Sequence, residues 1–132
     1  VSRDWTWFSR ELVILIHDEQ LEEHGGASGL RDAGLLESVL ARPKQLAAYG
    51  TPDVADLAAA YAFGIARNHP FADGNERTAF LQAEGFLRLQ GLRLGASDEQ
   101  ALVAMLGLAS DELSQDEFAG WLRQNAAEIQ PY

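Results

Sequence analysis

The sequence predicts an all-α fold of about six helices. Three observations predict it. Apolar residues recur at three- and four-residue steps in separate stretches along the chain. Two late stretches open with capping-box patterns, Ser97-Asp98-Glu99-Gln100 and Ser114-Gln115-Asp116-Glu117. Prolines and glycines fall between the periodic stretches, where helices end and turns begin.

The elements follow in order. Residues 4 to about 22 read as a helix with Trp5, Phe8, Leu12, Leu15, Ile16 and Glu19 on one stripe. Trp5, Trp7 and Phe8 read as core, and His17 and His24 as ordinary polar positions. His24-Gly25-Gly26-Ala27-Ser28-Gly29 reads as a flexible turn, because it lacks the Lys-Ser/Thr ending of a phosphate-binding P-loop. The next helix begins near Asp32, points Leu35, Leu36, Val39 and Leu40 inward, and ends at Pro43. Composition alone makes residues 43–52 a loop between two prolines, and Lys44 to Tyr49 are open to an extended form. Asp53 caps a third helix that runs to about Asn68, with Ala58, Tyr61, Ala62 and Ile65 on one face. The fourth runs from about Gly74 to Gln90 and carries Ala79, Ala83, Phe86, Leu87 and Leu89. It is expected to be the most buried helix. The capping boxes start the fifth and sixth, and the tail Gln130-Pro131-Tyr132 is expected to fray.

A chain of 132 residues fits one domain spanning residues 1–132. The net charge of −10 argues against direct nucleic-acid contact, which needs clustered Lys and Arg. It suits a basic protein partner better. The absence of cysteine rules out disulfides and thiolate metal sites, and it fits a cytoplasmic location. No apolar run long enough to span a membrane and no signal-peptide pattern is visible.

Chemistry concentrates in Asn68-His69-Pro70-Phe71-Ala72-Asp73-Gly74-Asn75-Glu76-Arg77-Thr78. Pro70 forces the preceding helix to stop, and Asp73-Gly74-Asn75 is turn chemistry. A helix therefore begins near Gly74, and its free N–H groups form an anion site. Arg77 adds a donor fork suited to phosphate. His69 is the candidate base beside that site, and Asp73 offers a hard oxygen ligand for a divalent cation. The set points to phosphoryl or nucleotidyl transfer to a hydroxyl. Each residue also has a structural reading. A His–Pro turn is often only a turn, Asp73 with Glu76 fits a capping box, and Arg77 fits a solvated helix position.

The run from His69 to Arg77 resembles the signature of the Fic/Doc family, His-x-Phe-x-Asp/Glu-Gly-Asn-x-Arg. Gly29-Leu30-Arg31-Asp32, Gly34-Leu35-Leu36-Glu37, Ala41-Arg42-Pro43, Tyr49-Gly50, Phe86-Leu87, Gly91 and Trp121-Leu122 are similar to the short Doc (death-on-curing) toxins. The resemblance implies a Fic-fold helical domain and transfer of part of a nucleotide to a protein hydroxyl. AMP transfer is common in the family, and Doc transfers the terminal phosphate to a translation elongation factor. It further implies ATP or another nucleotide as co-substrate, Mg²⁺ on Asp73, His69 as general base, and phosphates on Gly74, Asn75, Glu76 and Arg77. Phe71 anchors the loop. Residues 43–52 resemble the flap, a short hairpin or loop in which Lys44, Gln45, Leu46 and Ala47 would pair with the target's backbone. The implied partners are an antitoxin protein and a target that includes translation factors as a class. No self-inhibitory helix motif is present. Glu76 departs from the family, which usually has Gly or Lys there. That leaves the transferred group open, and it leaves open a silent module that acts by binding a partner.

Overall fold

The computed structural model describes residues 5–129. Six helices appear in the order α1 Arg10–His24, α2 Ala33–Tyr49, α3 Val54–Asn68, α4 Asn75–Leu89, α5 Asp98–Ala109 and α6 Gln115–Asn125. Two three-residue strands, β1 Leu92–Leu94 and β2 Ala126–Glu128, pair antiparallel with Arg93 opposite Ala127. The all-α expectation holds.

The centre is α3 rather than α4. Eleven residues of α3 are buried, against seven of α4. Its run of alanines explains this, because small side chains let several helices approach one backbone. Gly64 shows how close the approach is. A Cβ there would lie 3.1 Å from Val39 of α2. Asp53 caps α3, with a side chain that accepts from the Asp56 N–H at 2.9 Å, and Asp56 returns the bond to complete a capping box. Arg123 of α6 then bonds both carboxylates, at 2.7 Å to Asp53 and 3.1 Å to Asp56. This guanidinium lowers the Asp53 carboxyl from 3.8 to about 2.

Residues 5–9 precede α1 as irregular chain, so the helix begins later than expected; the expected start at residue 4 lies outside the described residues. The aromatics there do enter the core. Phe8 packs edge-on against Tyr61 at 5.5 Å, and its N–H donates to the Tyr61 hydroxyl. Burial raises the Tyr61 hydroxyl above its usual value. The inward face of α1 also differs. Val13, His17 and Gln20 are buried, while Leu15 is half exposed. Two polar residues face inward because α1 lies against the polar motif loop, which apolar periodicity has no means to signal.

Pro43 does not end α2. It sits inside the helix, which continues to Tyr49. Leu36, Val39, Leu40 and Pro43 form one buried stripe, and Leu46 and Ala47 extend it against the core. Burial of that stripe offsets the roughly 3 kcal/mol that an interior proline costs. The segment expected to form a hairpin or loop is therefore helical through Tyr49. Lys44, Gln45, Leu46 and Ala47 occupy its last turns, so their backbone groups are not an open strand edge. Among the described residues the antiparallel strand pair instead joins 92–94 to 126–128, with α5 and α6 between the two strands. The expected frayed tail lies outside the described residues.

Candidate active site

Among the described residues, five of the six helices begin with a side-chain cap. Ser9, Asp32, Asp53, Ser97 and Ser114 each accept a first-turn N–H. The exception is α4. Gly74 stands at its N-cap and no side chain caps it. The expected capping box of Asp73 with Glu76 does not form. Asp73 instead accepts from the Gly74 N–H at 2.8 Å and from the Ala27 N–H at 3.3 Å. The first-turn N–H groups of α4 are thus left toward the motif loop, with the positive end of the helix dipole behind them.

Gly74 is required on two grounds. Its φ is +72°, in the left-handed region, and a Cβ there would lie 2.1 Å from Gln20 Nε2. The loop before it is held from several sides. Phe71 is buried. The Asn75 side chain accepts from the Phe71 N–H at 3.1 Å and donates to the Phe71 carbonyl at 3.0 Å. Asn75 therefore uses its side chain to close the loop, and its backbone N–H is what remains for an anion. The motif backbone also bridges to the segment after the glycine-rich turn. The Arg31 and Asp32 N–H groups donate to the Pro70 carbonyl, and the Ala72 N–H donates to the Gly29 carbonyl at 3.0 Å.

His69 ends α3 in the left-handed conformation, with φ 50° and ψ 61°. That conformation costs a non-glycine residue about 1–2 kcal/mol. Arg31 holds it there. Its Nε donates to the His69 carbonyl at 2.7 Å and its guanidinium NH₂ to the Asn68 carbonyl at 2.6 Å. The imidazole is half exposed, and its Nε2 lies 3.9 Å from a Glu76 carboxylate oxygen. Arg77 is exposed and holds no salt bridge among the described residues. It lines a cavity of about 320 Å³ with Glu76, His24, Phe80, Leu102 and Met105. The motif residues His69, Asp73, Gly74, Asn75, Glu76 and Arg77 thus gather around one helix start. Lys44 and Gln45 are exposed on the last turns of α2.

Sequence reasoning missed two supports. His17 is buried rather than an ordinary polar position. It stacks on Phe71 at 3.8 Å between centroids, and its Nε2–H donates to the Asp73 carbonyl at 2.8 Å. Arg31 was visible only as part of a family pattern, because its two acceptors lie nearly forty residues away. The glycine-rich turn also proves to be more than a flexible link. A Cβ at Gly26 would meet the Asp73 carboxylate at 2.9 Å.

Residues 7–87, more than half of the chain, match the Fic/DOC family. The chain belongs to that family. The match contains the whole of the helix start just described. The chain is 35% identical to "Protein kinase doc" of Escherichia phage P1 over 117 residues, which cover 88% of this chain and 92% of that protein. It is 39% identical to "Toxin Doc" of Mycolicibacterium smegmatis over 111 residues, which cover 80% of this chain and 85% of that protein.

No cluster of three or more His, Asp or Glu side chains suited to a metal occurs among the described residues. Mg²⁺ does not demand one. It usually takes one or two carboxylates and completes its shell with water and phosphate oxygens. Each Asp73 carboxylate oxygen has one N–H donor recorded and so keeps a lone pair. Asp73 could therefore hold a divalent cation. No helix is long and apolar enough to cross a membrane among the described residues.

Proposed function

We propose that the protein is a Doc-like toxin that transfers AMP or a phosphate from a nucleotide to a hydroxyl of a target protein. The observation that carries this reading is the uncapped start of α4, with His69, Asp73 and Arg77 around it. Fic/DOC membership and the names of the two Doc relatives support it.

The residues divide the work as follows. The N–H groups of Asn75, Glu76 and Arg77 hold the phosphate oxygens, and the Arg77 fork offsets charge that builds in the transition state. Asp73 would hold Mg²⁺, which when bound neutralises phosphate charge. His69 accepts the proton of the target hydroxyl as that oxygen bonds to phosphorus. The phosphorus–oxygen bond to the leaving part of the nucleotide breaks, and the electron pair departs with it. Attack at the α-phosphorus transfers AMP, and attack at the γ-phosphorus transfers phosphate. The Arg31 clamp on His69 holds the base in its left-handed position, and Asn75 and His17 hold the loop between base and cradle.

The target is a protein with an accessible Ser, Thr or Tyr, with translation factors the class that the family suggests. An antitoxin protein is the expected partner that restrains a toxin of this kind, and both would meet it in the cytoplasm. Helical backbone at Lys44–Ala47 leaves side chains as the means by which that surface meets a target.

Calorimetry with ATP and Mg²⁺ tests the cradle. Arg77→Ala and Asp73→Asn are expected to weaken binding at least ten-fold, and His69→Ala to leave it within about two-fold. Equal loss in all three variants would contradict these roles. A second reading, in which the module is silent and acts by binding a partner, is favoured only by the Glu76 carboxylate beside the cradle. Failure of the wild-type protein to bind ATP with Mg²⁺ would put that reading first.

A further inference from the structure

Glu76 is the second residue of α4. An acid at that position suits the helix dipole whichever way it points. Its direction is therefore informative. The carboxylate reaches back across the motif loop, and Oε1 lies 3.9 Å from His69 Nε2. No other salt bridge or side-chain hydrogen bond of Glu76 occurs among the described residues. The same side chain borders the cavity that Arg77 lines.

We infer that Glu76 is a positioning residue for His69, raising turnover while weakening nucleotide affinity. This rests on the reading of His69 as the base. Two consequences follow from one charge. As His69 takes the hydroxyl proton, its ring becomes a cation. A carboxylate 3.9 Å from Nε2 is too far for a hydrogen bond, but its charge favours the cationic ring. The nucleotide, meanwhile, brings negative phosphates to N–H groups on the same first turn. A fixed negative charge beside them opposes binding. Arg77 and a divalent cation reduce that opposition without removing it. A glycine at this position would provide neither effect, and a lysine would reverse the second.

The test combines kinetics with a measurement that needs no activity. Glu76→Gln keeps the side-chain shape and removes the charge, and Glu76→Ala removes both. Initial rates of label transfer from ATP with Mg²⁺ to a bacterial lysate protein are measured against ATP concentration. Glu76→Gln is expected to lower the maximal rate about five-fold, as the worth of a half-exposed ion pair suggests, and to lower the apparent KM for ATP. In parallel, ring-nitrogen NMR signals are recorded for the nucleotide-free full chain. The His69 Nε2 signal should move in Glu76→Ala while the buried His17 signals stay in place.

A maximal rate that is unchanged or higher in Glu76→Gln overturns the inference, as does an unmoved His69 signal. A wild-type protein with no His69-dependent transfer would instead remove the proposed function. The ring signal alone would then decide whether the Glu76 charge acts on His69.

Discussion

Replacing Gly74 by alanine tests the helix start most sharply, because two independent costs meet at one atom. The backbone cost comes from φ +72°, where an L side chain loses about 1–2 kcal/mol. The packing cost comes from Gln20. Its amide nitrogen is 2.1 Å from the position of the new Cβ, so it must move by more than an ångström. Gln20 is only 3% exposed, so the move is into occupied space, at about 1–3 kcal/mol. The sum is about 3 kcal/mol, which lowers the Tm of a domain this size by about 10 °C. Urea unfolding of Gly74→Ala measures it. Gln20→Ala in the same background should return the packing part and leave the backbone part. The double-mutant cycle is thus expected to give a coupling of about 1–2 kcal/mol. A Gly74→Ala loss below about 0.5 kcal/mol, or strict additivity with Gln20→Ala, would refute the reasoning.

Three further predictions follow from the same geometry. Asn75→Ala breaks both bonds to the Phe71 backbone inside the protein and should cost about 2–3 kcal/mol in urea unfolding. Arg31→Ala frees the His69 and Asn68 carbonyls. Transfer should fall several-fold while binding of ATP with Mg²⁺ by calorimetry stays within about two-fold. Arg123 holds the Asp53 carboxyl at about 2, below its unfolded value of 3.8. That depressed value adds stability above pH 3.8 that is lost as the pH falls toward 2. Both partners are half exposed, so solvent screening reduces the contribution to about 1 kcal/mol. Arg123→Gln should therefore flatten the acid limb of stability against pH between 4 and 2, and added salt should narrow the difference from wild type.

What the sequence could reveal was mostly local. Asp53, Ser97 and Ser114 cap helices as expected, and α2 starts at Asp32 where its start was read, because a cap needs only its own first turn. The stop at Asn68 and the new start after Gly74 were legible for the same reason. The motif could be read as a phosphate site because turn residues, a base, an acid and an arginine follow one another in sequence.

The misreadings are non-local. Pro43 is a sound stop signal on its own, but the buried stripe through Leu36, Val39 and Leu40 carries the helix past it. The pairing of Leu92–Leu94 with Ala126–Glu128 joins segments more than thirty residues apart, and three-residue strands are too short for a period of two to show. His17 and Gln20 turn inward because they meet the motif loop. Asp73 plus Glu76 looked like a capping box, yet the positive φ of Gly74 moves the helix start one residue later. That shift leaves α4 uncapped and its N–H groups available.

The most direct measurement uses ATP labelled at the α- or the γ-phosphate, incubated with the protein, Mg²⁺ and a bacterial lysate, with His69→Ala as the control. One of the two labels is expected to move to a protein band with wild type and not with His69→Ala. An α label would identify AMP transfer and a γ label phosphate transfer. A band of equal strength with His69→Ala, or no transfer of either label, would contradict the proposed function.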